Sequence, residues 1–256
     1  DEYRAQRRGG RGKRGMSTKD EDFVADLFVA STHTNILFFS SFGKIYKLRT
    51  HELPEGSRNT KGQAAVNLLP LEQDEKIQTV LPVDEFEEGP NLVFATRHGR
   101  VKKTPLIDYE NVRSTGIIAL KLKDDDEVIS VRLSSGDDDI MLTSRNGRAI
   151  RFHEEDVRSM GRTAMGVIGM RFKGEDEIVS MDVIKEDRKE DRVLIITENG
   201  YGKRTNLDEY PQQSRGGVGV ITIKTTDRNG RVVGARIVES SDDLMLVTNQ
   251  GQILRT

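Results

Sequence analysis

Short apolar runs alternate with polar turns along the whole chain. Five segments repeat one pattern, an apolar run, a polar turn with a glycine and a second strand-like run: NILFFSSFGKIYKL, NLVFATRHGRVKKT, DIMLTSRNGRAIRF, RVLIITENGYGKRT and LMLVTNQGQILRT. Each segment predicts a β-hairpin, because glycine readily takes the positive φ that tight turns require. These hairpin glycines are Gly43, Gly99, Gly147, Gly200 and Gly251, at intervals of 56, 48, 53 and 51 residues.

A second glycine follows each of the first four hairpin glycines after 17 or 19 residues. These loop glycines are Gly62, Gly116, Gly166 and Gly219. Two further apolar stretches with a polar turn between them come next, as in IIALKLKDDDEVISVRL. Four strands per unit of roughly fifty residues are typical of a propeller blade. A helical solenoid is the alternative, but β-branched residues and glycine-centred turns favour strands.

The units predict one all-β domain over residues 1–256, with repeats at approximately 1–30, 31–90, 91–138, 139–191, 192–242 and 243–256. The first and last are half units, because DEYRAQRRGGRG matches DEYPQQSRGGVG from the second half of a repeat and the chain stops after a hairpin. We expect each repeat to be an up-and-down meander, in which the hairpin turn and the acidic turn share one end. The two half units either pair with each other or lack their complements.

The composition favours a soluble cytoplasmic protein. The chain has 256 residues, a formal net charge of −2, 32% charged residues and no cysteine. Without cysteine there are no disulfides, thiolate zinc sites or thiol nucleophiles. No stretch approaches the roughly 18 apolar residues of a membrane span. The first residue is Asp, not Met, so we expect the sequence to be a fragment of a longer protein.

Charge follows the same period as the strands. Acidic residues concentrate in turns such as EQDEK, DDDE and GEDE, and a Lys or Arg stands four residues after every hairpin glycine. The cations predicted to form a basic band around one side are Lys44, Lys47, Arg58, Lys61, Arg100, Lys102, Lys103, Arg113, Arg148, Arg151, Arg158, Arg162, Lys203, Arg204, Arg215 and Arg255. The alternative is that these charges serve only solubility and edge protection.

Such a band would suit duplex DNA. Aromatic residues make up only 5% of the chain, whereas single-strand sites need rings on which bases stack. No recognition helix is visible in the pattern. We therefore predict contact with phosphates along a curved track, without reading of the base sequence. The segment RAQRRGGRGKR, residues 4–14, has six cations and three glycines, and it is predicted to clamp phosphate groups.

The segment QRRGGRG closely resembles the seven-residue box of the C-terminal domain of DNA gyrase A subunits. Arg11 stands where that box usually has lysine, which keeps the charge. The stretches DEYRAQ, NLLPLEQDEKI, NGYGKRT and DRNGRVVGA resemble the same domain, so the resemblance extends over the whole chain. By this resemblance, the DNA-binding box consists of Gln6, Arg7, Arg8, Gly9, Gly10, Arg11 and Gly12.

The resemblance implies a six-bladed β-pinwheel, a propeller-like ring of four-stranded blades that exchange strands with their neighbours. It also implies that double-stranded DNA wraps, with a positive-handed crossing, around the basic perimeter of a monomeric and non-catalytic domain. The rest of the gyrase A subunit and the gyrase B subunit would complete a bacterial heterotetramer that supercoils DNA with ATP. No cofactor is expected in this domain, since ATP and Mg²⁺ bind elsewhere in such enzymes.

The remaining residues give little reason to expect catalysis or metal binding. The histidines His33, His51, His98 and His153 show no ligand spacing, and DDDE and GDDD lack the spacing of a calcium loop. Three alternatives stay open: a protein-binding propeller, a propeller enzyme with polar residues at a central channel, and the corresponding domain of topoisomerase IV. A protein-binding propeller would carry apolar or aromatic residues on its loop faces.

Overall fold

The computed structural model describes residues 28–56, 63–123, 125–188, 191–239 and 241–247, together with the short strands at 13–14 and 252–255. The side chains of residues 13–14, 245–247 and 252–255 are not among those described. The predicted box, Arg58, Lys61 and the side chain of Arg255 therefore lie outside the described part of the structure. Within the described ranges the helices are 3-10 turns of three or four residues, and none is long or apolar enough to cross a membrane.

The strands account for nearly all the regular structure. In chain order they are β1 (Lys13–Arg14), β2 (Asn35–Ser40), β3 (Lys44–Arg49), β4 (Ile77–Val83), β5 (Asn91–Thr96), β6 (Arg100–Pro105), β7 (Ile117–Ile118), β8 (Val128–Ser134), β9 (Asp139–Ser144), β10 (Arg148–His153), β11 (Val167–Ile168), β12 (Ile178–Ile184), β13 (Arg192–Thr197), β14 (Gly202–Asn206), β15 (Val220–Ile221), β16 (Val232–Val238), β17 (Met245–Val247) and β18 (Gln252–Arg255). The 3-10 turns are Thr50–Glu52, Ala65–Asn67, Leu106–Tyr109, Glu154–Asp156, Glu186–Arg188 and Leu207–Glu209.

Each predicted hairpin forms the middle of an antiparallel sheet. The orders of the four-stranded sheets are β4-β2-β3-β7, β8-β5-β6-β11 and β12-β9-β10-β15. The predicted meander is wrong, because the short strand after a loop glycine pairs with the hairpin of the preceding repeat. This exchange is fixed at Gly43, Gly99 and Gly147: the carbonyl of Gly43, for example, accepts hydrogen bonds from the amides of Ala119 (2.8 Å) and Leu120 (3.0 Å).

Three hairpin glycines, Gly43, Gly99 and Gly147, lie where two repeats meet. Gly147 has φ of 81°, and a Cβ atom on it would lie 2.1 Å from the carbonyl oxygen of Ile223 in the next repeat. Gly43 and Gly99 have the same left-handed conformation and equally close approaches. A side chain is therefore excluded by both backbone strain and space.

The hairpin turn and the acidic turn share one end of each blade, as predicted. The amide of Arg145, in a hairpin turn, donates to the carbonyl of Glu177 in the acidic turn at 2.8 Å, and their side chains form an ion pair at 2.6 Å. Arg97 and Glu127 repeat the arrangement one blade earlier. The long loops leave from the opposite end of β6, β10 and β14 and lead into β7, β11 and β15, which lie along the outer edge of the preceding sheet.

The two ends of the chain contribute to one sheet. Strand β1 pairs with β18, and β18 pairs with β17, in a three-stranded sheet. A second three-stranded sheet has the order β14-β13-β16. The described residues thus form five sheets, and the all-β, propeller-type architecture is confirmed. Six blades would include residues outside the described part of the structure, so the number of blades stays a prediction.

The core lies between successive sheets. In β5, Leu92 and Phe94 pack towards the preceding sheet, where Phe94 meets Phe39 edge to face at 5.6 Å, while Val93 and Ala95 pack towards the following sheet. Both faces of the middle strands are thus buried, which explains why their sequences are continuous apolar runs. Strands β4, β8, β12 and β16 contact one another in succession and form the inner edges of the sheets. The short strands β7, β11 and β15 are the outer edges, and we call them the outer strands.

Candidate nucleic-acid interface

The predicted basic positions whose side chains the structure describes fall into three groups with different surroundings. Those with exposed side chains are Arg113, Arg158, Arg162, Lys203 and Arg204. Those that are half-buried are Lys44, Lys47, Arg100, Arg148, Arg151 and Arg215. Lys102 and Lys103 are buried. Only the first group has exposed side chains, and of these the ammonium of Lys203 still donates to the carbonyl of Thr222 at 3.1 Å. The predicted band of exposed cations is therefore narrower than the sequence suggested.

The exposed arginines lie in the long loops that lead into the outer strands. Arg113 precedes β7, and its carbonyl accepts a hydrogen bond from the amide of Gly116 at 2.9 Å, which closes a tight turn. Arg158 and Arg162 occupy the loop before β11. In that loop the Gly161 carbonyl accepts from the Ala164 amide at 3.1 Å. Both loops therefore hold their arginines close to the outer edge of a sheet.

The cations directly after the hairpin glycines have a structural role between blades. The guanidinium of Arg148 donates to the carbonyls of Val218 (2.8 Å) and Gly219 (2.6 Å). Arg100 does the same to Met165 and Gly166, one blade earlier. Each arginine thus ties a hairpin to the loop glycine of the following repeat. Lys44 instead forms an ion pair with Glu72 of its own repeat at 2.5 Å.

Three of the cations four residues after a hairpin glycine, Lys47, Lys103 and Arg151, reach backbone carbonyls in or directly after the 3-10 turn of the following repeat. Lys47 donates to the carbonyl of Glu110 at 2.5 Å, and its ammonium also lies 5.2 Å from the centre of the Phe86 ring. Arg151 donates to the carbonyl of Leu207 at 3.3 Å and pairs with Asp139 at 2.7 Å. Bracing of adjacent blades therefore accounts for part of the periodicity that we had attributed to DNA contact.

For Lys103 the prediction of a DNA-contacting side chain is wrong. Its residue is 8% exposed, and its ammonium lies 2.9 Å from the carbonyl oxygen and 3.3 Å from Oε2 of the fully buried Glu154. That carboxylate also accepts hydrogen bonds from the Ser134 hydroxyl and the Gly136 and Asp138 amides. The ion pair fills the seam between two blades and does not reach the surface.

For Lys102 the prediction is wrong as well, because the residue is 0% exposed. Its ammonium donates to the carbonyls of Ala119, Gly161 (3.3 Å) and Arg162 (2.7 Å), and it lies 5.1 Å from the centre of the Phe94 ring. Burial lowers the pKa of Lys102 to about 7. The lysine therefore anchors the loop that bears Arg162 from inside.

The sequence contained a signal for this burial. The residue three positions after the hairpin glycine is Tyr46 in one repeat and Ile150 in another, and both are buried like Lys102. The fourth repeat has Lys203 at this position, and it is exposed. Strand β14, which carries Lys203, has no partner on its outer edge among the described strands. Exposure at this position thus depends on whether an outer strand covers it.

Sequence reasoning also missed a set of cations. Five residues after the loop glycine stand Lys121, Arg171 and Lys224, and all three are exposed. Arg171 donates to the carbonyl of Gly216 at 2.5 Å, close to Arg215, which donates to the carbonyl of Ile168 at 3.1 Å. The signal was the constant spacing from the loop glycine. We define the outer rim as the outer strands β7, β11 and β15 with the exposed cations Arg113, Lys121, Arg162, Arg171 and Lys224.

The inner edges of the sheets present a different polar cluster. Asp182 on β12 pairs with Arg236 of β16 (3.3 Å) and Arg132 of β8 (4.0 Å). Burial raises the pKa of the Asp182 carboxyl, against the effect of the two arginines. These contacts join three successive inner strands, which is a bracing role. Across the residues that the structure describes, no group of three or more His, Asp or Glu side chains is arranged to hold a metal ion.

The chain matches known proteins along its full length. The family model described as "DNA gyrase C-terminal domain, beta-propeller" matches residues 1–31, 34–84, 90–135, 138–185, 191–239 and 242–256. The A subunit of DNA gyrase from Salmonella typhimurium is 51% identical over 255 residues, covering 100% of this chain and 29% of that protein. The chain thus spans less than a third of the length of this relative.

Two solved structures have the same fold. A structure of the DNA gyrase A C-terminal domain aligns with a TM-score of 0.79 at 27% identity, covering 99% of this chain and 82% of that one. The crystal structure of the C-terminal domain of DNA topoisomerase IV aligns with a TM-score of 0.78 at 32% identity, covering 88% of this chain and 70% of that one.

Proposed function

The chain belongs to the family of DNA gyrase C-terminal, β-propeller domains, and from this premise we propose that it binds duplex DNA along its outer rim and bends it. In this proposal the chain is the non-catalytic part of a gyrase A subunit. It needs no cofactor of its own, and the remainder of that subunit together with the gyrase B subunit carries the cleavage and ATP chemistry.

The observation that supports this proposal best is the exposure of cations beside successive outer strands. Arg113 and Lys121 flank β7, Arg162 and Arg171 flank β11, and Lys224 follows β15. Because these cations recur from blade to blade, they would form a row of phosphate-binding positions along the rim and not a single binding pocket. Such a track suits a molecule whose charge repeats along its length, as the phosphates of a duplex do.

The interaction expected of such a track is non-specific. Lysine and arginine contacts to phosphate carry no sequence information, and the described elements include no helix long enough to enter a groove. Bending 20–30 bp by 40–90° costs on the order of 1–6 kcal/mol. Five or six phosphate contacts release counterions from the DNA, so the logarithm of the binding constant should fall with the logarithm of the salt concentration at a slope of about −5 (the log–log salt slope). At low salt, this release of counterions offsets the cost of bending.

In the proposal, the box from Gln6 to Gly12 fastens one end of the bent DNA. Its arginines would fork onto phosphate oxygens, and its glycines would let backbone amides approach them. The role of the box in supercoiling can be tested by substituting two of its arginines. Arg7→Ala combined with Arg8→Ala, in the reassembled enzyme, should abolish negative supercoiling and leave relaxation of supercoiled DNA. Undiminished supercoiling would reject the role of the box.

The direct test is binding of this chain to fluorescent duplexes of increasing length across a salt series. We expect affinity to rise with length until the rim is covered, with a log–log salt slope of about −5 and no preference for sequence. Arg113→Ala should make the slope shallower by about 0.9. Equal affinity for all lengths, or binding that does not respond to salt, would reject wrapping and favour a protein-binding propeller.

A second, weaker candidate is the corresponding domain of topoisomerase IV, whose solved structure is 32% identical to this chain, against 51% identity to a gyrase A subunit. The two candidates differ in the expected role of the box. In a topoisomerase IV enzyme, Arg7→Ala with Arg8→Ala should leave the activity intact. The same supercoiling and relaxation assays therefore distinguish the two.

A further inference from the structure

Each outer strand exposes one isoleucine at the same register. Ile118 of β7 is 52% exposed, Ile168 of β11 is 37% exposed and Ile221 of β15 is 61% exposed. All three stand two residues after a loop glycine. Single exposed aliphatic residues are ordinary on protein surfaces, but three at one register in three successive blades need a common explanation.

Each isoleucine lies directly opposite a cation on the neighbouring strand. The register pairs are Lys44 with Ile118, Arg100 with Ile168, and Arg148 with Ile221. Opposite residues in an antiparallel pair project from the same face of the sheet and lie about 5 Å apart at Cβ. An apolar side chain and a charged one therefore occur together at each outer edge.

The cations beside these isoleucines are held in place by the protein. The guanidinium of Arg148 binds the carbonyls of Val218 and Gly219, just before Ile221. Near Ile168, the guanidinium of Arg100 binds Met165 and Gly166, and that of Arg215 binds the carbonyl of Ile168 itself. The charges are thus fixed by backbone carbonyls beside Ile168 and Ile221, whereas Lys44 beside Ile118 pairs with Glu72; all three isoleucines are open to solvent.

Edge protection does not explain the choice of residue. An exposed outer strand is normally protected by charged residues or proline, because an apolar edge invites association. Isoleucine at this position favours a partner that offers both negative charge and apolar surface. Duplex DNA offers both at once, because the deoxyribose rings between successive phosphates are apolar.

We propose that Ile118, Ile168 and Ile221 contact the deoxyribose rings of DNA bound to the outer rim. This inference rests on the proposed function and adds to the DNA affinity a component that does not depend on salt concentration. The exposed cations of the outer rim neutralise phosphates, while the isoleucines bury apolar surface against the sugars between them. Because sugars are the same in every nucleotide, the contact would hold the duplex at each blade without selecting a sequence.

The test is a salt series of duplex binding with threonine at these positions. Threonine keeps the β-branched shape that suits a strand and removes apolar surface without changing charge. The triple variant Ile118→Thr, Ile168→Thr and Ile221→Thr should bind roughly ten-fold more weakly at every salt concentration, with an unchanged log–log slope. Val233→Thr is the matched control, since Val233 is 55% exposed on an inner strand, and it should bind like the unmodified chain.

The outcomes separate this inference from the proposed function. If the unmodified chain binds DNA and the triple variant binds equally well, the sugar contact is rejected and the proposed function stands. A triple variant with a shallower salt slope would also reject it, because the isoleucines would then act by positioning charges. If the unmodified chain does not bind DNA, both proposals fail. Equal thermal unfolding midpoints of the triple variant and the control establish that the comparison is made between folded proteins.

Discussion

Replacing Lys103 by methionine distinguishes a bracing cation from a DNA-contacting one. The ammonium of Lys103 lies 3.3 Å from Oε2 of Glu154, which is 0% exposed. Methionine would leave this carboxylate buried without its counterion. Breaking a buried pair from one side typically costs about 3–5 kcal/mol. Since three donors still bind the Glu154 carboxylate, we expect a loss at the lower end of that range, about 3 kcal/mol.

The assay combines unfolding with DNA binding. For a domain of this size, about 3 kcal/mol corresponds to a fall of roughly 6–12 °C in Tm. The log–log salt slope for duplex binding, measured below that Tm, should be unchanged. Arg158→Met is the matched control, because Arg158 is exposed: its free energy of unfolding should stay within about 0.5 kcal/mol.

A double variant adds a further check. In Lys103→Met with Glu154→Gln the buried charge is removed, so part of the lost stability should return. The reasoning would be refuted if Lys103→Met unfolded at the normal temperature and at the same time bound DNA with a shallower salt slope. That result would place the ammonium on phosphate and contradict the seam contact.

Two further predictions concern the seam between blades. Gly147→Ala should destabilise the fold by more than about 2 kcal/mol in urea unfolding, because its φ is 81° and its Cβ would overlap the Ile223 carbonyl. Gly174→Ala is the control: Gly174 has the same φ but open space around it, so this substitution should cost only about 1 kcal/mol. Lys102 has a folded pKa of about 7 against an ordinary value of 10.5, so the unfolded chain binds more protons between these pH values. The free energy of unfolding of the unmodified chain, relative to that of Lys102→Met, should therefore rise with pH over that window by on the order of 1 kcal/mol per pH unit. A difference that falls or stays constant with pH would contradict the burial of the ammonium.

The repeat architecture could be predicted because it depends on local signals. The hairpin glycines precede strands of regular length, and those at positions 43, 99, 147 and 200 adopt the positive φ that the turns need. The association of hairpin and acidic turns also followed from the pattern. These features need only neighbouring residues, and their periodicity made each repeat a check on the others.

The exchange of strands could not be read from the residues alone. The stretch that contains Ile117 and Ile118 has the same apolar character whether it pairs with its own hairpin or with the preceding one. Its partner is decided by the hydrogen bonds of Ala119 and Leu120 to the Gly43 carbonyl, which are tertiary contacts. The pairing of β1 with β18 is decided in the same way by contacts between the ends of the chain.

The roles of the basic residues were predicted only in part. A cation that recurs at one spacing indicates a shared environment, but it does not say whether that environment is solvent or protein. Lys103 and Arg151 recur because each reaches the next blade. Arg171 was missed although its spacing from a loop glycine is just as constant. Exposure, which the structure supplies, is what separates the two kinds of position.

The most direct test of the account is the end-to-end distance of a duplex bound to this chain. A duplex of roughly 40 bp, well below the persistence length of DNA, with a fluorescent donor and acceptor at its two ends should show higher energy transfer when bound, because the outer rim curves it. Charge removal at Arg113, Arg162 and Arg171 together should abolish the increase. If the duplex binds tightly and its ends stay as far apart as in free DNA, the outer rim does not bend DNA and the central claim is contradicted.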